Sequence, residues 1–175
     1  MAAGATYTPI ASQTLSASAS EILFSNIPQG YTDLIVIVQG RFDSANTIRE
    51  IGFRFNGDSG TNYSSTRIIG DGSTASSDRL TNFNNMRFGV LPAASATASE
   101  LGNAIFHLQN YSNSTTYKTV LNRTNYAGTG GWTVASVGLW RNTAAITSLR
   151  IAISETQTGN FVSGSTFTLY GITAA

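Results

Sequence analysis

The sequence predicts an all-β protein, a two-sheet antiparallel β-sandwich of jelly-roll-like topology with about ten strands. Apolar residues recur at every second position over short segments, which is the spacing of a strand with one buried face. Turn-forming residues interrupt these segments roughly every ten positions. Hardly any segment carries the periodicity of an amphipathic helix. Short alternating strands joined by turns are typical of sandwiches and barrels.

The first strands are predicted from alternation and from the residues that interrupt it. Tyr7–Leu15 forms the first strand, and Pro9 places it at an edge or at the start of a sheet, because proline donates no ladder hydrogen bond. Ile22–Ile27 follows after a stretch rich in serine and alanine. Residues 1–20 are therefore expected to contain an extended N-terminal arm together with the first strand.

Two segments carry the strongest strand patterns. In Asp33–Arg41, the run Leu34–Val38 is apolar on both faces, which predicts a central strand that is covered on both sides or lies in a subunit contact. Glu50–Asn56 alternates between apolar residues and residues such as Arg54. One face of this strand is therefore expected to lie in the core and the other to point outward.

The rest of the chain completes the predicted sandwich. The remaining strands are expected at Ser64–Ile69, Asn103–Leu108, Tyr117–Arg123, Thr133–Trp140, Leu149–Glu155 and Thr166–Ile172. Asp71–Asn85 has few apolar residues and is predicted to be a long exposed loop. Pro92–Ser99 is predicted to be a connector, rich in alanine and serine, that contains one helical turn.

Length and composition describe one domain with a weakly charged surface. A chain of 175 residues suits a single domain over residues 1–175. A domain of this size buries roughly 70% of the surface that its unfolded form exposes. Charged residues make up 11% of the chain and the formal net charge is +1. This charge is too small to hold a nucleic acid, which requires a clustered basic surface.

The residue types that carry most catalysis are nearly absent. The chain has no cysteine, one histidine, His107, and one lysine, Lys118, and its nine acidic residues are scattered. The loop Asn56–Asn62 alternates oxygen ligands with glycines but lacks the closing glutamate of a calcium loop, so a turn is favoured. We therefore expect no enzyme activity, no catalytic or metal-binding residues and no cofactor.

Hydropathy gives an expectation about membranes and synthesis. No segment approaches the roughly 20 apolar residues of a membrane helix. The N-terminus lacks the basic and apolar segments of a signal peptide. The sequence therefore predicts a protein that is made soluble in the cytoplasm and has no membrane partner.

Several aromatic residues lie in or beside predicted turns. Tyr126 and Trp132 flank the glycine-rich stretch 128–131. Aromatic rings in such positions can stack on sugars, and they equally serve as packing residues or anchors of subunit contacts. Glycan binding through Tyr126 and Trp132 is one interpretation, and packing at the edge of the sandwich is the other.

Several stretches of the chain carry a resemblance to known proteins. They are Thr6–Leu15, Phe24–Leu34, Phe55–Asp58 with Asn62–Ser64, and Gly164–Ile172. These stretches resemble small virion structural proteins of tailed bacteriophages, a group that includes capsid proteins and tail-fibre-like proteins. The resemblance spans nearly the whole chain, and it implies a virion component without catalytic residues.

The resemblance implies a role on the particle surface. It is that of a capsid decoration or cement protein, which binds the outer capsid shell and stabilises it. The implied partners are the major capsid protein and further copies of the same chain in a homotrimer. The alternative that the resemblance leaves open is a tail-fibre or tail-tip module that binds polysaccharides of the host surface.

Contact residues are predicted from their position along the strands. Three residues of the N-terminal segment are candidates for contact with the shell or a neighbouring subunit: Tyr7, Pro9 and Ile10. An extended arm can add backbone hydrogen bonds to another chain. Three further candidates for a subunit interface are expected on the outward phases of their strands: Arg41, Arg54 and Trp140.

Overall fold

Two antiparallel β-sheets pack face to face in this protein. The structure is a computed structural model that describes residues 6–128 and 130–173. These residues form twelve strands and no helix. The predicted fold, an all-β, jelly-roll-like two-sheet sandwich, is confirmed. Within the described ranges there is accordingly no helix with the length and hydropathy needed to cross a membrane.

The strands follow one another along the chain with short connections. They are β1 (Tyr7–Thr14), β2 (Glu21–Phe24), β3 (Asp33–Gly40), β4 (Ile48–Phe55), β5 (Tyr63–Gly70), β6 (Ala75–Phe83), β7 (Met86–Pro92), β8 (Gly102–Gln109), β9 (Lys118–Tyr126), β10 (Trp132–Trp140), β11 (Leu149–Ile153) and β12 (Thr166–Ile172).

The two sheets differ in size. The large sheet has eight strands in the order β1-β12-β3-β8-β9-β10-β5-β6, and the small sheet has four in the order β2-β11-β4-β7. The inner face of the large sheet packs on the small sheet, and its outer face points away from the sandwich. Strands β3, β8, β9 and β10 occupy the middle of the large sheet.

Aromatic side chains from both sheets form the centre of the core. The ring centroid of Phe53 on β4 lies 4.2 Å from that of Phe106 on β8 and 5.1 Å from that of Phe88 on β7. All three side chains are fully buried. Removing one such ring typically costs about 3–5 kcal/mol, so this cluster holds the two sheets together. The alternation predicted for β4 is confirmed, because Arg54 points away from the core that its neighbours fill.

Two strands were missed by the sequence prediction. Asp71–Asn85 is not an exposed loop throughout, since it contains β6 at one edge of the large sheet. Most of β6 is exposed on both faces, so it has little apolar alternation, and backbone pairing to β5 holds it in place. The second missed strand is β7, whose last residue is Pro92. The expected helical turn after it is absent, and residues 93–100 form hydrogen-bonded turns instead.

The N-terminal segment forms the opposite edge of the large sheet. β1 pairs with β12 of the same chain and has no second strand beside it among the described residues. The edge position that Pro9 predicts is confirmed, and the pairing is irregular between Pro9 and Ala11. From Tyr7 onward the chain is therefore part of its own sandwich and not a free arm. Residues 1–5 of the predicted arm lie outside the described residues.

Candidate functional site

The outer face of the large sheet carries most of the exposed apolar surface. Of the nine large hydrophobic side chains that are exposed in the described part of the chain, six lie on this face. They are Tyr7, Ile37, Ile68, Ile105, Leu121 and Val137, and we call them the apolar face. Ile68 is 65% exposed and Leu121 is 46% exposed. Exposed apolar residues that cluster in this way mark interaction surfaces.

Strand register makes the apolar face continuous. Ile37 on β3 pairs directly with Ile105 on β8, and Leu121 on β9 pairs directly with Val137 on β10. Two shallow grooves of about 370 and 320 Å³ run across this face, and Leu121 lines both of them. Tyr7 lies at the far end of the first groove. The apolar side chains therefore form one surface across the sheet.

In the middle of the β9–β10 hairpin, small and polar residues lie inward and apolar residues lie outward, although Val120, Val134 and Trp140 are also buried on the inner side. The inward positions of β9 include Asn122 and Thr124, and those of β10 include Ser136 and Gly138, whereas Leu121 points outward. A side chain on Gly138 would clash with the core, because a Cβ there would meet the Met86 sulfur at 2.1 Å.

The core therefore selects a small residue at Gly138, in the middle of the inner side of this hairpin. No packing within the described chain selects the apolar residues on its outer side. That distribution is expected of a sheet face that becomes covered in an assembly.

Two polar side chains lie among the apolar residues of this face, His107 beside Leu121 and Arg123 beside Ile105. The His107 ring lies on the outer side of β8, and its Nε2 atom is 2.8 Å from Asp33 Oδ2. The other oxygen of Asp33 accepts a hydrogen bond from the Asn110 amide. Arg123 is exposed, lines the first groove, and has no carboxylate partner in the described part of the chain. Protein interfaces combine apolar residues with polar groups of this kind.

The three N-terminal candidates occupy different environments. Tyr7 is exposed, belongs to the apolar face and makes an edge-to-face contact with Tyr170. Pro9 is exposed on the edge strand. Ile10 is half-buried and packs against the core, so it is less accessible than the other two. Only Tyr7 joins a larger surface.

The prediction that Arg41 points outward toward a subunit interface is wrong. Its side chain is buried instead of pointing outward. Its guanidinium donates hydrogen bonds to the carbonyl oxygens of Thr97 at 2.7 Å and Ala93 at 2.8 Å, with longer bonds to Ala96 and Glu100. Arg41 therefore fixes the connector after β7. A side chain committed in this way is not free to contact a partner.

The prediction that Trp140 points outward is also wrong. Trp140 is fully buried at the inner face of β10, stacked on Tyr63 with ring centroids 6.3 Å apart. Its indole N–H donates to Asp58 Oδ2 at 2.7 Å. Burial acts to raise the pKa of Asp58, but hydrogen bonds from Asn62, Trp140 and the Gly60 amide outweigh it and hold the pKa below its usual value.

Arg54 remains on the outward side of its strand, as expected. It lies on the outer face of the small sheet, where its Nη2 atom is 3.1 Å from Glu155 Oε1. Its Nε atom donates to the carbonyl oxygen of Asn84 at 3.2 Å. Arg54 therefore belongs to a different face of the molecule from Tyr7, and the two do not form one site.

Tyr126 and Trp132, the two candidates for glycan contact, differ in how deeply they are buried. Tyr126 is buried, and its hydroxyl donates to Glu100 Oε2 at 2.7 Å, so the prediction that it binds glycan from an exposed turn is wrong. Trp132 is half-buried and lines a cleft together with charged side chains. The sequence did not indicate that cleft, because its residues come from five separate strands and two loops.

The loop Asn56–Asn62 forms a turn, as favoured from the sequence. Asn56 and Gly57 have φ values of 51° and 68°, in the left-handed region that asparagine and glycine tolerate. Asp58 accepts hydrogen bonds from within the loop and from Trp140 instead of pointing to an open site. Across the described ranges no group of three metal-ligating side chains comes together.

Comparisons with known proteins assign the chain to no family. No protein-family model matches it, and no curated protein matches its sequence. Among solved structures, galectin LEC-6 of Caenorhabditis elegans is similar to this chain. The identity is 10%, the TM-score is 0.36, and the similarity covers 93% of this chain and 96% of that chain.

Proposed function

We propose that this protein is a bacteriophage virion structural protein that decorates and stabilises the outer capsid shell. The observation that carries the proposal is the apolar face on the outer side of the large sheet. In this role the apolar face packs against further copies of the chain, and the expected assembly is a homotrimer. The resemblance of four stretches of sequence to small virion proteins of tailed phages supports the particle as the location.

The size and composition of the apolar face suit a subunit contact. The exposed fractions of its six side chains correspond to an area on the order of 500 Å², comparable with the largest patches on monomeric proteins. A standard interface buries roughly 800 Å² on each partner, with an apolar centre and a polar border. The apolar face supplies apolar residues for such a centre, and His107 and Arg123 add polar groups within it.

A second copy of the chain is the occupant that symmetry favours. Most soluble oligomers are homo-oligomers with closed symmetry. In the described residues, this face holds six of the nine exposed large apolar side chains. In a homotrimer each copy turns the face toward the three-fold axis, and one part of it packs against a different part of the same face on the next copy. Contact between copies also leaves the remainder of each sandwich free for the capsid protein.

Attachment to the shell needs no deep site. A symmetric assembly adds several equal and modest contacts, and their combination raises the overall affinity without any reactive group. The open edge of β1 is the part of the sandwich best suited to such a contact, since an edge strand presents unpaired backbone groups. Pro9 limits uncontrolled pairing there because it donates no hydrogen bond.

A cryo-EM reconstruction of the whole virion tests this function. The expected result is density that fits this sandwich over the outer capsid surface at three-fold or quasi-three-fold positions, with the apolar faces turned toward one another. Density confined to the tail would contradict the decoration role. Density on the capsid in which the apolar face points to solvent would contradict the proposed subunit contact.

A further inference from the structure

A cleft opens at the edge of the sandwich on the inner side of the large sheet. Its volume is about 510 Å³, within the roughly 300–1,000 Å³ that is usual for small-molecule sites. Arg67 and Ile69 of β5 line it, whereas Ile68 between them belongs to the apolar face. Strands β4 and β7 supply much of the opposite wall. The cleft and the apolar face therefore lie on opposite sides of the large sheet.

An ion-pair network fixes the floor of this cleft. Arg67 Nη1 is 2.5 Å from Glu50 Oε1, and Arg67 Nε donates to Asp78 Oδ1 at 2.8 Å. The second oxygen of Glu50 accepts a hydrogen bond from Arg87. The side chains of Arg67, Glu50 and Arg87 are all largely buried. Buried ion pairs with several hydrogen bonds hold their geometry, so the floor is rigid.

A third arginine leaves one positive charge without a partner. Arg49 lines the cleft, and within the described ranges no carboxylate lies at ion-pair distance from it. Its Nη2 atom donates to Asn46 Oδ1, and its Nε atom is buried without a partner. The Nη1 atom remains for a ligand. Three arginines against two carboxylates give the cleft an excess of one positive charge, which complements a single anion.

The remaining lining suits a sugar ring. Trp132 is half-buried at the cleft and presents an aromatic surface, and Val90 and Ile69 add apolar contacts. The side-chain oxygens of Asn46 and Gln157 accept internal hydrogen bonds, from Arg49 and from the Glu50 amide. Their amide NH2 groups have no partner in the described part of the chain and can donate to hydroxyl oxygens. Few polar groups over an apolar wall are typical of ligand sites.

We propose that this cleft binds one uronic acid residue of an acidic polysaccharide. The guanidinium of Arg49 pairs with the sugar carboxylate, as planar guanidinium groups do with carboxylates. The ring of Trp132 packs against the apolar face of the sugar. The amide groups of Asn46 and Gln157 donate to its hydroxyl oxygens. This inference does not rest on the decoration role, since it concerns other residues on another side of the sheet.

Calorimetric titration of the full chain with defined trisaccharides tests the proposal. The probes are trisaccharides of galacturonate, glucuronate and mannuronate, each compared with its neutral methyl ester. At least one acid is expected to bind, and its ester at least about tenfold more weakly. Added salt is expected to weaken binding of the acid but not that of the ester. The proposal is wrong if no acid binds, if acid and ester bind equally, or if an acidic peptide binds more tightly than every saccharide.

Variants assign the binding to this cleft. Arg49→Gln is expected to weaken binding of the acid about tenfold, to the level of the ester. Trp132→Ala is expected to weaken binding of both. Arg79→Gln is the matched control, because Arg79 is an exposed arginine on β6, outside the cleft lining. Unchanged binding in Arg49→Gln would contradict the proposed site.

The two proposals can fail separately. Leu121→Asp, on the apolar face, is expected to leave saccharide binding intact. Arg49→Gln is expected to leave the oligomeric state intact. Loss of saccharide binding on Leu121→Asp would contradict the separation of the cleft from the subunit contact. A native oligomer that binds none of the saccharides would overturn only the cleft proposal.

Discussion

Leu121 on β9 and Val137 on β10 lie directly opposite each other on the outer face of the large sheet, and they are 46% and 41% exposed. On the inner side of the same two strands, the paired residues Asn122 and Ser136 are buried and joined by a hydrogen bond. Apolar side chains thus face solvent where polar ones lie inside. A partner that covers the outer face explains this arrangement, because burying these side chains stabilises the assembly.

The buried carboxylate of Glu50 is predicted to be essential for stability. Glu50→Gln leaves Arg67 and Arg87 without the charge that they share, and breaking a buried pair in this way costs about 3–5 kcal/mol of unfolding free energy. The matched control is Glu155→Gln, whose partners Arg54 and Arg150 are more exposed and which should cost about 0–1 kcal/mol. Urea unfolding measures both. An equal loss of unfolding free energy in Glu50→Gln and Glu155→Gln would show that burial does not make the Glu50 ion pairs stronger than exposed ones.

Arg41 is predicted to hold the connector after β7 in place. In Arg41→Lys, one ammonium cannot replace the two nitrogens that donate to Thr97 and Ala93, so the expected loss is about 2 kcal/mol. Amide hydrogen exchange in residues 93–100 should rise. Arg79→Lys, at an exposed arginine on β6, should change stability by less than about 0.5 kcal/mol. Unchanged exchange in 93–100 would contradict the assigned role.

The hydrogen bond from Trp140 to Asp58 is predicted to govern stability in acid. The pKa of Asp58 is lowered in the folded protein, so its contribution is present at neutral pH and is lost as the pH falls through the folded pKa. Trp140→Phe removes one donor, which raises that pKa and moves the acid-induced loss to higher pH.

Urea unfolding at a series of values between about pH 6 and pH 2 measures this shift. Trp132→Phe is the control, because the Trp132 indole has no hydrogen bond among the contacts of the described residues. Trp140→Phe should also lower stability at neutral pH by about 1–3 kcal/mol, since Asp58 loses a charge-assisted bond. An acid profile identical to that of the unchanged protein would contradict the role of this bond.

Alternation predicted the strands whose two faces differ. In β4, the buried Phe53 and Phe55 alternate with the outward Arg54, so the sequence pattern and the structure agree. β6 has no such signal, because an edge strand that is exposed on both faces needs no apolar phase. Its position depends on backbone pairing to β5, which composition does not reveal.

The candidate residues were harder to predict, because the phase of a strand and the path of a loop decide their exposure. Trp140 was expected on the outward phase of β10, but both phases of this strand carry apolar residues, and alternation cannot separate two apolar phases. Arg41 follows directly after β3. Its side chain is buried by the connector after β7, for example by a hydrogen bond to Ala96 at a sequence separation of 55, and a local pattern does not reveal such a contact. The apolar run Leu34–Val38 did indicate the outward Ile37, and with it part of the apolar face.

The most direct test of the central claim is the mass of the protein in solution, measured by light scattering for the unchanged chain and for Leu121→Asp. The account predicts a trimer for the unchanged chain and a folded monomer for Leu121→Asp, because a buried charge would oppose the subunit contact. Leu23→Asp is the matched control: Leu23 is 57% exposed on the small sheet, and its variant should stay trimeric. A monomeric unchanged chain, or a Leu121→Asp variant that remains fully trimeric, would contradict the account.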